Sequence, residues 1–290
     1  MKATLTVLGS GTSMGVPTIG CNCAVCTSSD PHDRRTRPSI MVQWDDQHPI
    51  TPTRANEALV GGPGPNAPTT GALGTARHTV LIDTTPDFRQ QAIREGIRRI
   101  DAVLYTHGHA DHILGLDDVR PLSFPRITGG SKIPLFASDN TTRVLRNVFR
   151  YIFEGDYKYG GLAQVELRPI NGPIELFGAT FQPLVVIHGD VPIEAYRFGS
   201  AAYLTDFSSV PEESLAKLEG LDILFLDALR HHPHPTHSTV ENSLKIVERL
   251  KPRRAYFTHI SHDLPHEATN AALPETVRLS HDGLKLEFEL

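Results

Sequence analysis

Short apolar runs broken by glycine and proline dominate the first hundred residues. Segments 3–8, 39–44, 78–83 and 102–106 are rich in Val, Leu and Ile and bounded by turn residues, which predicts four strands. Between the second and third, the stretch Asp45 to Arg77 is rich in Pro, Gly, Thr and Ala without periodicity. It reads as a flexible insertion between neighbouring strands. Pro86 followed by residues 87–95 and Gly96 predicts a helix with its start and stop. Val144, Val148 and Tyr151 carry helical spacing over 140–150.

The second half repeats this style. Apolar runs predict strands at 180–187, 194–198, 201–204, 223–226, 255–257 and 285–289. Helices are predicted at 211–218 and 240–250, the latter with Val240, Leu244, Val247 and Leu250 on one face. Two strand-rich halves with flanking helices predict two sheets packed face to face with helices outside.

Composition narrows the picture only modestly. A hydrophobic content of 39% supports a sizeable core, and a net charge of −5 gives no reason to expect broad nucleic-acid binding. Nowhere do 18 apolar residues run together, and the first residues carry no leader-like apolar stretch, so a cytoplasmic location and no membrane partner are expected. The unusual feature is fifteen histidines that fall in clusters.

The densest cluster is Thr106-His107-Gly108-His109-Ala110-Asp111-His112, directly after the apolar run Ala102-Val103-Leu104-Tyr105. Imidazole and carboxylate together suit zinc, iron or manganese. Alternation places His107 and His109 on one side of an extended segment, and the turn after it can present Asp111 and His112 to a second ion. His188, Asp206 and His259 each stand where an apolar strand gives way to a turn. Three thiols, Cys21, Cys23 and Cys26, lie within six residues and can wrap one zinc, which then needs a fourth ligand. The alternatives are three non-ligating thiols, or one disulfide and a spare. Asp83, at a strand end, reads either as a hydrogen-bonding orienter of a ligand histidine or as a cap for the helix after Pro86. The glycine turn at Gly9 and Gly11 could present amides to an anion, and Arg34, Arg35 and Arg37 could bind phosphate, but a common turn and a solvated basic surface are the default readings.

The His-x-His-x-Asp-His pattern at a strand end resembles the signature of the metallo-β-lactamase superfamily. Gly9-Ser10-Gly11-Thr12-Ser13-Met14-Gly15-Val16-Pro17, the cysteine cluster, Asp83-Thr84-Thr85-Pro86-Asp87-Phe88-Arg89 and Leu226-Asp227-Ala228-Leu229-Arg230 resemble its branch of phosphoribosyl cyclic phosphodiesterases. This resemblance implies an α/β fold, a four-layer αββα sandwich in one domain over residues 1–290. It implies two active-site metals, manganese or zinc, on His107, His109, Asp111, His112, His188, Asp206 and His259, with Asp206 bridging. It also implies a structural zinc on Cys21, Cys23, Cys26 and His262. The implied catalytic residues are Asp111 and His237, the latter touching the scissile phosphate and protonating the leaving oxygen after attack by a metal-generated hydroxide. His231, His232 and His234 read as exposed or supporting residues. The implied substrate is a small phosphodiester, with specificity in the loops 117–134 and 153–162, and a homodimer stays open. Rival readings are a nuclease acting on tRNA 3′ ends, against which the lack of a basic arm counts, and a non-hydrolytic member of the same fold, against which the intact ligand set counts.

Overall fold

The computed structural model describes residues 1–45, 77–154 and 161–290. All but the ends of the expected insertion at 45–77 lie outside the described residues, as do most of residues 153–162. Fourteen strands form among the described residues. The first seven are β1 Lys2–Gly9, β2 Ser39–Asp45, β3 Arg77–Ile82, β4 Ala102–Leu104, β5 Ile133–Ala137, β6 Val165–Pro169 and β7 Ile174–Leu176. The rest are β8 Ala179–His188, β9 Val191–Phe198, β10 Ala201–Leu204, β11 Ile223–Asp227, β12 Arg254–Thr258, β13 Val277–Leu279 and β14 Lys285–Glu289.

They build two seven-stranded sheets, in the orders β14-β1-β2-β3-β4-β5-β6 and β13-β12-β11-β10-β9-β8-β7. Strands joined by turns pair antiparallel, as in β8–β9 across Gly189 and Asp190, where His188 stands opposite Val191. Strands separated by longer crossovers pair parallel: β3 through β6 in one sheet and β10 through β13 in the other.

Alternation along each strand explains the layers. Leu5, Val42, Val80 and Leu104 from the first sheet meet Phe181, Tyr196, Phe198 and Phe225 from the second in a shared core. On the first sheet's other face, Met41, Leu81 and Val103 pack with Phe88 and Leu145 from helices Phe88–Arg94 and Asp139–Val148. Leu204, Leu224 and Phe257 of the second sheet pack with Val240 and Val247 of helix Val240–Leu250. The central strands, such as β3, β4, β10 and β11, are buried on both faces, which is why they read as continuous apolar runs. The result is the expected four-layer αββα sandwich. Among the described residues no helix is long and apolar enough to cross a membrane.

Several elements differ from the sequence expectation. β5, β6, β7 and β13 form where no strand was predicted. Pro134 interrupts the pattern of β5, β6 alternates with exposed polar residues, and β7 and β13 have three residues each at sheet edges. The expected loop 117–134 holds the 3-10 helix Leu116–Ser123 and the short helix Pro125–Thr128. Helix His266–Ala272 was also not predicted.

Candidate metal centre

Parallel strands deliver their carboxyl ends to one edge of the sandwich, and the chain places its chemistry there. Asp83 follows β3, His107 follows β4, Asp206 follows β10, Asp227 ends β11, His259 follows β12, and His188 ends β8. Hydrogen bonds join the sheets at this edge. The Tyr196 hydroxyl donates to the Tyr105 carbonyl at 2.7 Å, and the Glu194 amide donates to the Thr106 carbonyl at 3.0 Å. Burial pushes the Glu194 carboxyl up to about 7. Asp83, Asp206 and His259 have φ of 66°, 57° and 58°. These left-handed turns are costly for non-glycine residues and turn the chain sharply where each strand ends.

Two groups of side chains converge. His107, His109 and His188 form the first, and Asp111, His112, Asp206 and His259 the second, each with its ligand atoms within 4.8 Å of one another. Asp206 stands between them. Its Oδ1 lies 3.3 Å from His112 Nε2, and its Oδ2 lies 3.3 Å from His259 Nε2 and 3.8 Å from His107 Nε2. Asp111 Oδ2 is 3.2 Å from His112 Nε2 and 3.6 Å from His259 Nε2. All seven residues expected from the sequence are therefore brought together, and a carboxylate in the position of Asp206 can reach both groups.

The donor set fits metal ions on a separate observation. Asp111 Oδ2, His112 Nε2 and His259 Nε2 are buried with no hydrogen-bond partner, although both nitrogens lie within 3.6 Å of the Asp111 oxygen. Buried polar atoms left so are costly, and a cation held among these three atoms would satisfy them together. The far sides of the rings are held. Asp83 Oδ2 accepts from Thr106 Oγ1 at 2.8 Å and lies 2.7 Å from His112 Nδ1, while Asp83 Oδ1 accepts from the Thr106 amide at 2.8 Å. His188 Nδ1 faces the Thr236 carbonyl at 2.9 Å. Each contact fixes a proton on Nδ1 and leaves Nε2 free as a ligand atom. Of the two readings open for Asp83, the orienting one matches this geometry.

His237 sits beside the cluster. Its ring stacks on His259 at 4.5 Å and lies 4.9 Å from His188. Asp227, which carried no assigned role in the sequence, holds His237 Nδ1 at 2.7 Å. A cleft of about 530 Å³ opens over His109, His188, Val191 and Thr236.

The three cysteines are free thiols gathered around His262. Its Nδ1 lies 3.3 Å from Cys21 Sγ, 3.6 Å from Cys23 Sγ and 3.3 Å from Cys26 Sγ. These match the S–N edge of about 3.5 Å expected for a zinc tetrahedron built from the usual Zn–S and Zn–N lengths. The Cys26 amide draws the Cys23 thiol down to about 7, while burial pushes the Cys26 thiol up to about 11.

The readings of anion binding at the glycine turn and at the arginine run do not match the structure. Asp282 occupies the Ser10 amide at 3.0 Å, and the Gly11 and Thr12 amides donate to the Thr36 and Ile260 carbonyls. Glycine is needed there for close approach, since a Cβ at Gly9 would meet the Arg37 carbonyl oxygen at 1.9 Å. Arg35 is buried against Asp33 at 3.0 Å, and Arg37 pairs with Asp87 at 3.0 Å.

A beta-lactamase superfamily domain matches residues 78–260. The crystal structure of a new diphosphatase from the PhnP family is 62% identical, covers 100% of this chain and 98% of that one, and superposes with a TM-score of 0.85. The chain belongs to the PhnP family of the metallo-β-lactamase fold. The octanoyltransferase of Porphyromonas gingivalis is 34% identical over 96% of this chain, which spans 50% of that protein's length. Zn(2+)-bound PqqB from Methylobacterium extorquens is 20% identical with a TM-score of 0.68, covering 98% of this chain and 99% of that one, and shares the fold. This PhnP-family chain carries, at the edge of its sandwich, a His/Asp cluster with the donor set of a metal site.

Proposed function

We propose that this PhnP-family chain is a binuclear metal-dependent phosphodiesterase acting on small phosphodiesters. The observation that supports it most is Asp206, set between the His107/His109/His188 group and the Asp111/His112/His259 group. Two divalent ions, manganese or zinc, would supply a nucleophile at neutral pH and offset charge on the phosphoryl oxygens.

The chain's own residues do the rest. Asp83 and the Thr236 carbonyl keep His112 and His188 in the tautomer that offers Nε2. Asp111 Oδ2, 3.2 Å from His112 Nε2 and 3.6 Å from His259 Nε2, would hold the second ion with them. The Asp227 carboxylate accepts from His237 Nδ1–H, so His237 Nε2 faces the site and can give a proton to the departing oxygen. The thiolates of Cys21, Cys23 and Cys26 with His262 would hold a structural zinc three residues beyond His259. A ribose-linked cyclic phosphate is the substrate that the resemblance favours.

A second reading, hydrolysis of a diphosphate bridge, draws support from the 62% identical relative described as a diphosphatase. The attack on phosphorus is the same, but the leaving group is a phosphate that needs less help from an acid.

Elemental analysis of the purified protein, paired with turnover assays on cyclic phosphodiesters, linear aryl phosphodiesters and diphosphate diesters, tests both readings. Three metals per chain with phosphodiester turnover support the first. His107→Ala and Asp206→Ala are each expected to abolish hydrolysis, and a fully active variant of either kind would sink the proposal.

A further inference from the structure

The loop after β11 carries a second imidazole that the proposed mechanism leaves unused. His234 lies between Pro233 and Pro235, half-buried, with its ring centroid 5.0 Å from that of His237. The two rings are wired in opposite senses. His237 Nδ1 meets a buried carboxylate, which suits a ring that gains and gives protons. His234 Nδ1 instead accepts a hydrogen bond from the Thr236 amide at 3.3 Å and lies 3.2 Å from the Thr236 hydroxyl. An amide N–H can only donate, so Nδ1 must offer its lone pair and the ring proton must sit on Nε2. His234 is thereby fixed as a neutral ring with one N–H to give. Proline on both sides restricts the backbone that carries it, and the Thr236 carbonyl that orients His188 belongs to the residue that orients His234.

Position says what that N–H can reach. His237 touches the rings of His188 and His259, whereas among the described residues His234 makes a ring contact with His237 alone. His234 therefore stands beyond His237 as seen from the metal ligands, so a leaving group protonated by His237 would have His234 as its next neighbour on that side.

Building on the phosphodiesterase reading, we propose that His234 is a specificity residue that donates Nε2–H to an oxygen of the leaving group. The chemistry recognised is an acceptor oxygen, from either a sugar hydroxyl or a second phosphate. It is not an aromatic ring.

Steady-state kinetics of the metal-loaded protein and of His234→Ala test this with a ribonucleoside 2′,3′-cyclic phosphate, a dinucleoside diphosphate and bis(4-nitrophenyl) phosphate. The expected result is a loss of about ten- to a hundredfold in kcat/KM, carried by KM, on one or both oxygen-bearing substrates. That loss should exceed the loss on the aryl diester at least tenfold, with metal content unchanged. Which of the two oxygen-bearing substrates responds identifies the source of the acceptor. His234→Gln, which returns an N–H near the Nε2 position, should recover most of the loss. An equal loss on all three substrates, a fall in metal content, or no change anywhere would overturn the proposal. If the parent protein cleaves none of the three, the phosphodiesterase reading itself fails. The His234 contact is then read from calorimetric binding of adenosine 5′-diphosphate, where tenfold weaker binding to His234→Ala supports it and equal binding overturns it.

Discussion

Asp227 Oδ2 and His237 Nδ1 lie 2.7 Å apart, with the carboxylate side chain fully buried and the imidazole 11% exposed. Burial pushes the Asp227 carboxyl up from its ordinary range, and the bond to His237 opposes that rise. The pair leaves His237 Nε2 as its one outward nitrogen, so its contribution depends on how badly the leaving oxygen needs a proton. Replacing His237 with Ala is expected to slow a substrate with an alkoxide leaving group by about 10²–10⁴-fold. A 4-nitrophenolate leaving group, which departs without protonation, should suffer far less, and Asp227→Asn should fall between. The check is kcat over a series of phosphodiesters of rising leaving-group pKa. Parallel plots for parent and His237→Ala would remove the acid role.

Asp83 touches no candidate ion, yet its carboxylate faces His112 Nδ1 and also fastens the amide and hydroxyl of Thr106, the residue that starts the ligand run. Asp83→Ala leaves His112 free to turn or to change tautomer. Loss of such a partner typically costs 10–100-fold in metal affinity or activity. The expected outcome is a variant that folds, binds metal about tenfold or more weakly, and regains part of its activity at high metal concentration. Competition titration with a metal chelator measures it.

The sequence made the ligand groups legible because four of their members crowd into one turn after a buried strand and the other three end apolar strands. The sandwich was legible for the same reason, since strands buried on both faces leave continuous apolar runs. What stayed hidden depends on contacts between distant residues. Nothing near Asp227 announces that it will meet His237, and the carbonyl of Thr236 carries no side-chain signal for its bond to His188. The left-handed turns at Asp83, Asp206 and His259 are set by the sheet edges that the chain must clear, not by local propensity. Arg35 reads as part of an exposed basic run, but it is buried against Asp33 and donates to the Ser261 and Leu264 carbonyls more than two hundred residues away.

Those same bonds tie the cysteine loop to the segment that carries His259 and His262. The Thr12 amide donates to Ile260, and the Ile260 amide donates to Ser10, so residues 10–35 and 259–266 form one joined edge. A zinc on Cys21, Cys23, Cys26 and His262 would staple that edge, and its removal should loosen His259. Cys26→Ser is expected to lower the zinc content by one ion per chain, to reduce Tm by several degrees, and to weaken metal binding at the paired site. Metal analysis and differential scanning calorimetry read these together. Loss of the zinc with an unchanged Tm would make the cluster a bystander.

Three histidine rings gather behind this edge, His32 at 4.6 Å from His266 and 4.2 Å from His281. Burial, with the neighbouring His32 and Arg35, pulls His266 down from 6.5 to about 4. His266 binds its proton less readily in the folded state than in the unfolded chain, so acid favours unfolding. Its contribution to stability is complete above pH 6.5, declines as pH falls from there, and levels off near pH 4. The Asn270 side-chain amide donates to His266 Nε2 at 3.0 Å, because Asn270 Oδ1 is already engaged by the Leu279 amide. That arrangement holds the neutral ring and would clash with a second ring proton. His266→Gln, which cannot charge, should lose less Tm than the parent between pH 6.5 and pH 4, although it starts from a lower value for lack of the ring. The comparison cancels the carboxylates and metal ligands common to both proteins. Identical losses of Tm across that window would show that His266 does not sense the acid.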